Sequence, residues 1–108
     1  MHIFDVLEAW MASMAGILTS SDVGARFDRS PTDRPNPSCS LNFRRDDHEL
    51  DLVIWESGEA ELTIGEVDGQ LNQMHLADIR SRAGLAELLL HLVEFIDMGR
   101  LKARTPRR

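Results

Sequence analysis

The sequence lacks several features that whole classes of protein require. Its 108 residues include one cysteine, Cys39, so no disulfide can form within the chain. Apolar runs such as Leu88–Leu90 and Leu52–Trp55 are far shorter than the roughly 20 residues of a membrane-spanning helix. The only lysine is Lys102, and neither a glycine-rich phosphate loop nor a nucleophile elbow is present. These absences exclude a disulfide scaffold and a spanning helix, and they disfavour an enzyme.

Basic residues are also scarce over most of the chain. Residues 1–99 hold 7 Lys or Arg and 18 Asp or Glu, a net charge of −11, and no Lys or Arg lies between Asp46 and Asp78. Nucleic-acid binding depends on Lys and Arg that neutralise phosphates, so this body is expected to repel nucleic acid and to attract a basic partner. Residues 1–99 are predicted to form a single domain, and the basic residues of 100–108 are interpreted as a frayed, solvated tail.

The N-terminal segment, residues 2–18, is predicted to form an amphipathic helix. Asp5 and Glu8 lie near its start, where the helix dipole favours acidic groups. These acids, and the absence of Lys or Arg before Arg26, are unlike a secretory signal, so we expect a cytoplasmic protein. The apolar residues that recur at spacings of three and four are Ile3, Leu7, Trp10, Met14 and Ile17.

The middle of the chain is predicted to form antiparallel strands. Three prolines mark residues 30–37 as a loop, and turns are predicted over 44–49, 56–58 and 67–70, the last from an Asp-Gly pair. Alternation of apolar and polar side chains is strict in the central strands, and the first and last strands are less regular. The predicted strands cover 23–29, 38–43, 50–55, 59–65 and 71–79.

A second apolar periodicity, over Leu85–Met98, predicts a C-terminal helix that ends at Gly99. The predicted fold is therefore α+β: an antiparallel sheet of four to five strands, flanked by an N-terminal and a C-terminal helix in a two-layer sandwich. Both helices are expected on one face of the sheet, which leaves the other face open. The face beneath the helices is expected to carry Leu41, Leu52, Ile54, Leu62 and Ile64.

Two groups of residues were considered for chemistry. A reactive cysteine needs an accessible, electropositive site, whereas the alternation around Cys39 predicts that it is buried. The run Asp46–Glu49 has the residue types of a metal site, but adjacent residues of a tight turn rarely point at one ion. His91 is expected to be a partly buried helix residue, and the strand around His75 is too irregular to assign it a role. We predict no catalytic residue, no metal and no cofactor.

The face of the sheet away from the helices is the candidate partner-binding surface. It is largely acidic, and it carries a tryptophan, Trp55, of the kind that anchors protein interfaces. The alternative is a solvated face whose tryptophan is covered by a loop or by the turn at Arg44 and Arg45. The candidate residues are Asp51, Val53, Trp55, Glu59, Glu61 and Thr63.

Two segments resemble the TriTu immunity proteins of bacterial polymorphic toxin systems. They are Asn36–Leu41, which reads Asn-Pro-Ser-Cys-Ser-Leu, and Leu52–Leu62, which reads Leu-Val-Ile-Trp-Glu-Ser-Gly-Glu-Ala-Glu-Leu. The resemblance is specific over about Asn36–Gly69 and extends more loosely to the C-terminal helix. It departs at Asn72–His75, where aromatic residues are expected.

The resemblance implies a small, acidic, single-domain protein that neutralises a cognate toxin by binding it, without catalysis. The toxin is expected to be basic, and the chain is expected to be a monomer or a weak homodimer, with no nucleic-acid or membrane partner. A small acidic secretion chaperone or adaptor that binds an effector protein is the alternative. A small enzyme, using Cys39 or the cluster around His48, would require an accessible thiol or a bound metal.

Overall fold

The computed structural model describes residues 2–31, 33, 35–66 and 69–104, and it describes side chains as far as residue 98. Five antiparallel strands form one sheet in the order β1-β2-β3-β4-β5, with helices before and after it. The predicted α+β fold is confirmed. The elements are α1 (Ile3–Ser13), α2 (Ala15–Ser20), β1 (Gly24–Arg29), β2 (Ser38–Arg45), β3 (His48–Trp55), β4 (Ala60–Glu66), β5 (Leu71–Leu76) and α3 (Arg82–Arg104).

The predicted register of the central strands is confirmed. Leu41, Leu52 and Leu62 lie directly opposite one another on β2, β3 and β4, and each is almost fully buried. Both helices pack on this inner face, because the Phe43 ring lies 6.5 Å from Trp10 of α1 and 6.1 Å from Phe95 of α3. Aromatic pairs at such separations add to the burial of apolar surface. One continuous core thus joins both helices to the sheet.

The predicted N-terminal helix is interrupted at Met14. The hydroxyl of Ser13 donates to the carbonyl of Trp10 over 2.7 Å, and the Met14 N–H is shared between the carbonyls of Trp10 and Met11. A serine that bonds back to an earlier carbonyl competes with the helix and bends it. The chain therefore forms two helices, α1 and α2, instead of the single helix expected over 2–18.

The turn predicted over 44–49 is shorter than expected. Arg45 pairs with His48 in the β2–β3 ladder, so the turn consists of Asp46 and Asp47 alone, with Asp46 at a φ of 52°. Arg45 is 4% exposed and donates to the Phe95 carbonyl over 2.6 Å, with its guanidinium 4.6 Å from the centre of the Phe95 ring. Burial lowers the pKa of Arg45. The sequence predicts only a polar turn at this arginine, because its partners come from a distant helix.

The boundaries of the C-terminal elements also differ from the prediction. Strand β5 ends at Leu76, and Ile79, expected in that strand, is fully buried beyond it and donates its N–H to the Gly58 carbonyl. Helix α3 begins at Arg82 and continues past Gly99, where it was expected to end. A glycine within a helix costs about 1 kcal/mol and does not by itself terminate it.

Some predictions fall on residues outside the described ones. The Asp-Gly turn includes residues 67 and 68, and the basic tail lies over 100–108 with no described side chains. Among the described helices, none is long and apolar enough to cross a membrane.

Candidate partner-binding face

The register of β3 and β4 brings the six candidate residues together on the outer face of the sheet. Asp51 lies opposite Thr63 and Val53 lies opposite Glu61. The Trp55 N–H donates to the Glu59 carbonyl over 2.9 Å, which makes a third opposed pair. Residues opposed in an antiparallel ladder project from the same face. The two strands therefore present three acids, a valine, a threonine and a tryptophan on one face.

This surface is accessible to a partner. Asp51 and Glu59 are exposed, and Val53 and Trp55 are half-buried. Their chain neighbours Leu52 and Ile54 are each 1% exposed and lie in the core, as period-2 alternation requires. Leu52 and Ile54 are thus beneath the helices, whereas Val53 and Trp55 are on the outer face. The role of this face in binding stays a prediction.

A hydrogen-bonded acidic pair extends the face along β3. The side-chain amide of Asn42 donates to Glu49 over 2.8 Å and to Asp51 over 2.7 Å. One amide thereby orients two carboxylates that would otherwise repel each other. The polar run over 44–49 predicts a turn at Glu49. The alternation of Asp51 and Val53 along β3 nevertheless extends to Glu49, which lies on the same face. We use the name acidic face for the following residues: Glu49, Asp51, Val53, Trp55, Glu59, Glu61 and Thr63.

His75 lies at the side of the acidic face. It is opposite Glu61 in the β4–β5 ladder, and its Nδ1 atom donates to a Glu61 carboxylate oxygen over 2.7 Å. A carboxylate held in this way loses part of its rotamer freedom before any partner arrives. His75 therefore positions one of the acids of this face, a role that its strand did not reveal.

The segments that carry the family resemblance meet at one end of the sheet. The side chain of Asn36 accepts from the N–H of Ser57 over 3.3 Å, and the Pro37 carbonyl accepts from the N–H of Glu56 over 2.8 Å. The carboxylate of Glu56 in turn pairs with Nε2 of His2 over 3.1 Å. The Pro-rich loop, the β3–β4 turn and the start of α1 are therefore joined beside Trp55.

Gly58 in this turn has a φ of 102°, a conformation that side chains disfavour. A Cβ atom at Gly58 would also lie 2.9 Å from Nε of Arg80 and 3.1 Å from Oδ1 of Asp78. Glycine is therefore required where the chain after β5 passes over the turn. This explains in physical terms why the run Trp-Glu-Ser-Gly contains a glycine.

The candidate nucleophile is buried as expected. Cys39 is 3% exposed, on the inner face opposite Ile54. Burial raises the pKa of the Cys39 thiol to about 11, and the nearby charge of Arg29 only partly opposes this shift. The neutral thiol therefore predominates near neutral pH, which disfavours thiolate chemistry at this site.

The acidic run around His48 does not converge on one point. Asp46 and Asp47 are exposed in the turn, and the two ring nitrogens of His48 face separate carboxylates, with Nδ1 2.9 Å from Asp47 and Nε2 3.2 Å from Glu66 across the ladder. Within the described part of the chain, no group of three or more His, Cys, Asp or Glu could hold a metal ion. His91 is half-buried on α3.

The chain matches a known protein family over most of its length. A family model described as the immunity protein TriTu matches residues 5–95, from the first turn of α1 to the middle of α3. The match spans every strand of the sheet. No curated protein and no solved structure matches the chain.

Proposed function

Since the chain belongs to the TriTu family of immunity proteins, we propose that it binds a cognate polymorphic toxin and neutralises it by occlusion, without catalysis. The family match over residues 5–95 carries this proposal, and it favours immunity over the secretion-chaperone alternative. We further propose that the protein acts in the cytoplasm, where an incoming toxin would meet its target.

The acidic face supports a basic toxin as the partner. Residues 1–99 have a net charge of −11, and the acidic face lies within the stretch from Asp46 to Asp78 that has no Lys or Arg. Concentrated negative charge accelerates encounter with a basic protein and excludes wrong partners. A nuclease with a positive substrate groove has the complementary charge. A sheet face that carries Trp55 also has room for a standard interface of about 800 Å² per partner.

The first test is protection and binding. The probe is the C-terminal domain of the protein encoded next to this gene, in an inactivated form for binding and in an active form for co-expression. The chain is expected to restore growth of cells that express the active domain, and to bind the inactive domain as a stable complex. If it does neither, the proposed function is wrong.

The second test locates the site. Trp55→Ala is expected to weaken binding of the inactive domain by about 2 kcal/mol, roughly thirtyfold, mainly through faster dissociation. Large aromatic side chains near the centre of an interface produce losses of this size when truncated. Binding kinetics by surface plasmon resonance, with a thermal melt of each variant, would measure the effect.

The chain offers a matched control, because its other tryptophan lies on the opposite side of the sheet. Trp10 contacts Phe43 beneath the helices, so Trp10→Ala is expected to lower Tm while the folded fraction keeps its dissociation rate. A folded Trp55→Ala variant with an unchanged dissociation rate would move the site to the Pro31–Pro37 loop or to the Asp46–Glu49 turn. A collapse of its Tm would instead make Trp55 a structural residue.

A further inference from the structure

The two edges of the sheet differ in how they are protected from other strands. An edge strand exposes unpaired backbone groups that can pair with another chain, and proteins commonly block such edges with charges, prolines or bulges. Strand β1 carries three charged residues among six, Arg26, Asp28 and Arg29. Strand β5 reads Leu-Asn-Gln-Met-His-Leu and contains no Lys, Arg, Asp, Glu or Pro. Its register with β4 is regular over six consecutive pairs, so no bulge interrupts it.

Most of the side chains of β5 are also exposed. Leu71, Asn72, Gln73 and His75 are all exposed, and Leu71, at 69%, is the most exposed large hydrophobic residue in the described part of the chain. The Leu71 side chain lies across Gly65, where an added Cβ atom would be 2.7 Å from its Cδ1 atom. An exposed apolar side chain therefore begins on the edge strand and lies over the neighbouring strand β4, and so much exposed apolar surface is unusual on an edge strand.

The ladder determines which backbone groups of β5 point outward. The Glu66 N–H donates to the Gln70 carbonyl over 3.3 Å, so these residues form the last hydrogen-bonded pair of the hairpin. Hydrogen-bonded and non-hydrogen-bonded pairs alternate in an antiparallel ladder. Asn72, Met74 and Leu76 therefore direct their backbone groups toward β4. The outward N–H and C=O groups belong to the remaining residues of the strand, Leu71, Gln73 and His75.

We propose that two copies of this chain pair through their β5 edges, antiparallel about a two-fold axis at Gln73, to form one continuous ten-stranded sheet. This register places Gln73 opposite its own copy and Leu71 opposite His75 of the copy, so that all three outward-facing residues exchange backbone hydrogen bonds. It also buries part of Leu71.

The uncharged β5 edge can accept a second copy as the occupant. No formally charged residue lies on either β5, so the two edges meet without like charges opposite each other. The nearest acid on the outer face, Glu61, is already engaged by His75 over 2.7 Å. Pairing of two β1 edges would instead bring together two sets of Arg26, Asp28 and Arg29. The two-fold axis is normal to the sheet, so both acidic faces point the same way and stay open.

The proposal is tested by the oligomeric state of the purified chain. Sedimentation equilibrium from low micromolar to near-millimolar concentration is expected to show the mass rising from 12.2 kDa toward twice that value. Gln73→Pro removes an outward N–H that β4 does not use, and it is expected to weaken association roughly tenfold or more. Ala25→Pro makes the matching change on β1. Ser30 and Ser38 form a hydrogen-bonded pair, so by the same alternation the N–H of Ala25 points away from β2. This variant is expected to leave association unchanged.

Two further variants keep the test decisive if a proline variant fails to fold. Gln73→Lys retains the N–H but places two like charges at the axis, so it is also expected to weaken association. A short bis-maleimide is expected to cross-link two Gln73→Cys chains much faster than two Ala25→Cys chains. Cys39 is buried and is not expected to react. Three results would each overturn the proposal. The chain could stay monomeric at all concentrations, or its dimer could be unaffected by both Gln73 changes. The third is a β5 edge that is protected from hydrogen exchange only when the toxin is added.

Discussion

Cys39 illustrates how burial sets the chemistry of a single side chain. A cysteine can act as a nucleophile, but Cys39 lies on the inner face of β2, where it is 3% exposed. Desolvation disfavours the thiolate more than the nearby Arg29 favours it, so the pKa of Cys39 rises to about 11. A thiol whose pKa is raised is protonated at all pH values below that pKa. The side chain therefore acts as a small apolar residue of the core.

Thiol labelling is the corresponding prediction. Native protein at neutral pH is expected to react with a thiol reagent far more slowly than protein unfolded in denaturant, because both access and the thiolate fraction are low in the fold. The measurement is the reaction rate with Ellman's reagent with and without guanidinium chloride. Equal rates in the two conditions would show that Cys39 is accessible and would reopen a catalytic role for it.

His2 makes two contacts through its two ring nitrogens. Its Nδ1 atom accepts from the N–H of Phe4 over 3.1 Å and caps α1, and its Nε2 atom pairs with Glu56 over 3.1 Å. The two contacts require the tautomer that carries the proton on Nε2. One histidine thus joins the first helix to the β3–β4 turn.

At the scale of elements, the turn before α3 depends on one glycine. Ser81 accepts from the N–H of Gly84 over 3.0 Å and caps the helix, and its hydroxyl donates to the Asp78 carbonyl over 2.8 Å. A Cβ atom on Gly84 would lie 1.9 Å from that same carbonyl oxygen. The start of α3 therefore lies so close to the preceding turn that only glycine fits at position 84.

Substitution of this glycine is the corresponding prediction. Gly84→Ala is expected to destabilise the fold by about 1–3 kcal/mol, which lowers Tm by roughly 5–20 °C for a domain of this size. Gly16 is the matched control, since it lies in α2 with nothing within 4 Å of an added Cβ atom. Gly16→Ala is expected to stabilise by about 0.5–1 kcal/mol. Thermal melts would measure both, and a Gly84→Ala variant as stable as the parent would disprove the close approach.

At the scale of the whole molecule, charge is distributed unevenly. The chain has a net charge of −6, but its acids are concentrated in residues 1–99 and include four on the acidic face, Glu49, Asp51, Glu59 and Glu61. An excess of one sign on one face produces a field that acts beyond contact distance, within about 10 Å at ordinary ionic strength. Such a field affects the rate of encounter more than the lifetime of a complex.

Charge removal is the prediction at this scale. Asp51→Asn combined with Glu59→Gln is expected to slow association with the inactive toxin domain by roughly two- to fivefold at low salt, with little change in dissociation. High salt is expected to reduce this difference, because screening weakens the field. Glu87→Gln, on the exposed surface of α3, removes a charge away from the face and is the control. Equal association rates for both variants would show that charge on the acidic face does not steer the partner.

What the sequence determined by itself is the set of features that depend on local periodicity. Alternation along β2, β3 and β4 placed Leu41, Leu52 and Leu62 inside and Trp55 outside, because neighbouring side chains of a strand point to opposite faces. The order of the strands, the α+β class and the position of the acidic residues on the outer face follow from the same signal. The run around Trp55 also indicated the TriTu family, and the match over residues 5–95 confirms that family.

Only the tertiary structure decided the features that depend on distant groups. Arg45 is buried because α3 supplies a carbonyl and an aromatic ring for its guanidinium. Ile79 is buried because its side chain joins the common core, and its N–H reaches the Gly58 carbonyl. The unprotected state of β5 depends on which strand is left at the edge of the sheet. Local composition does not encode such features, because burial and hydrogen-bond partners are properties of the assembled chain.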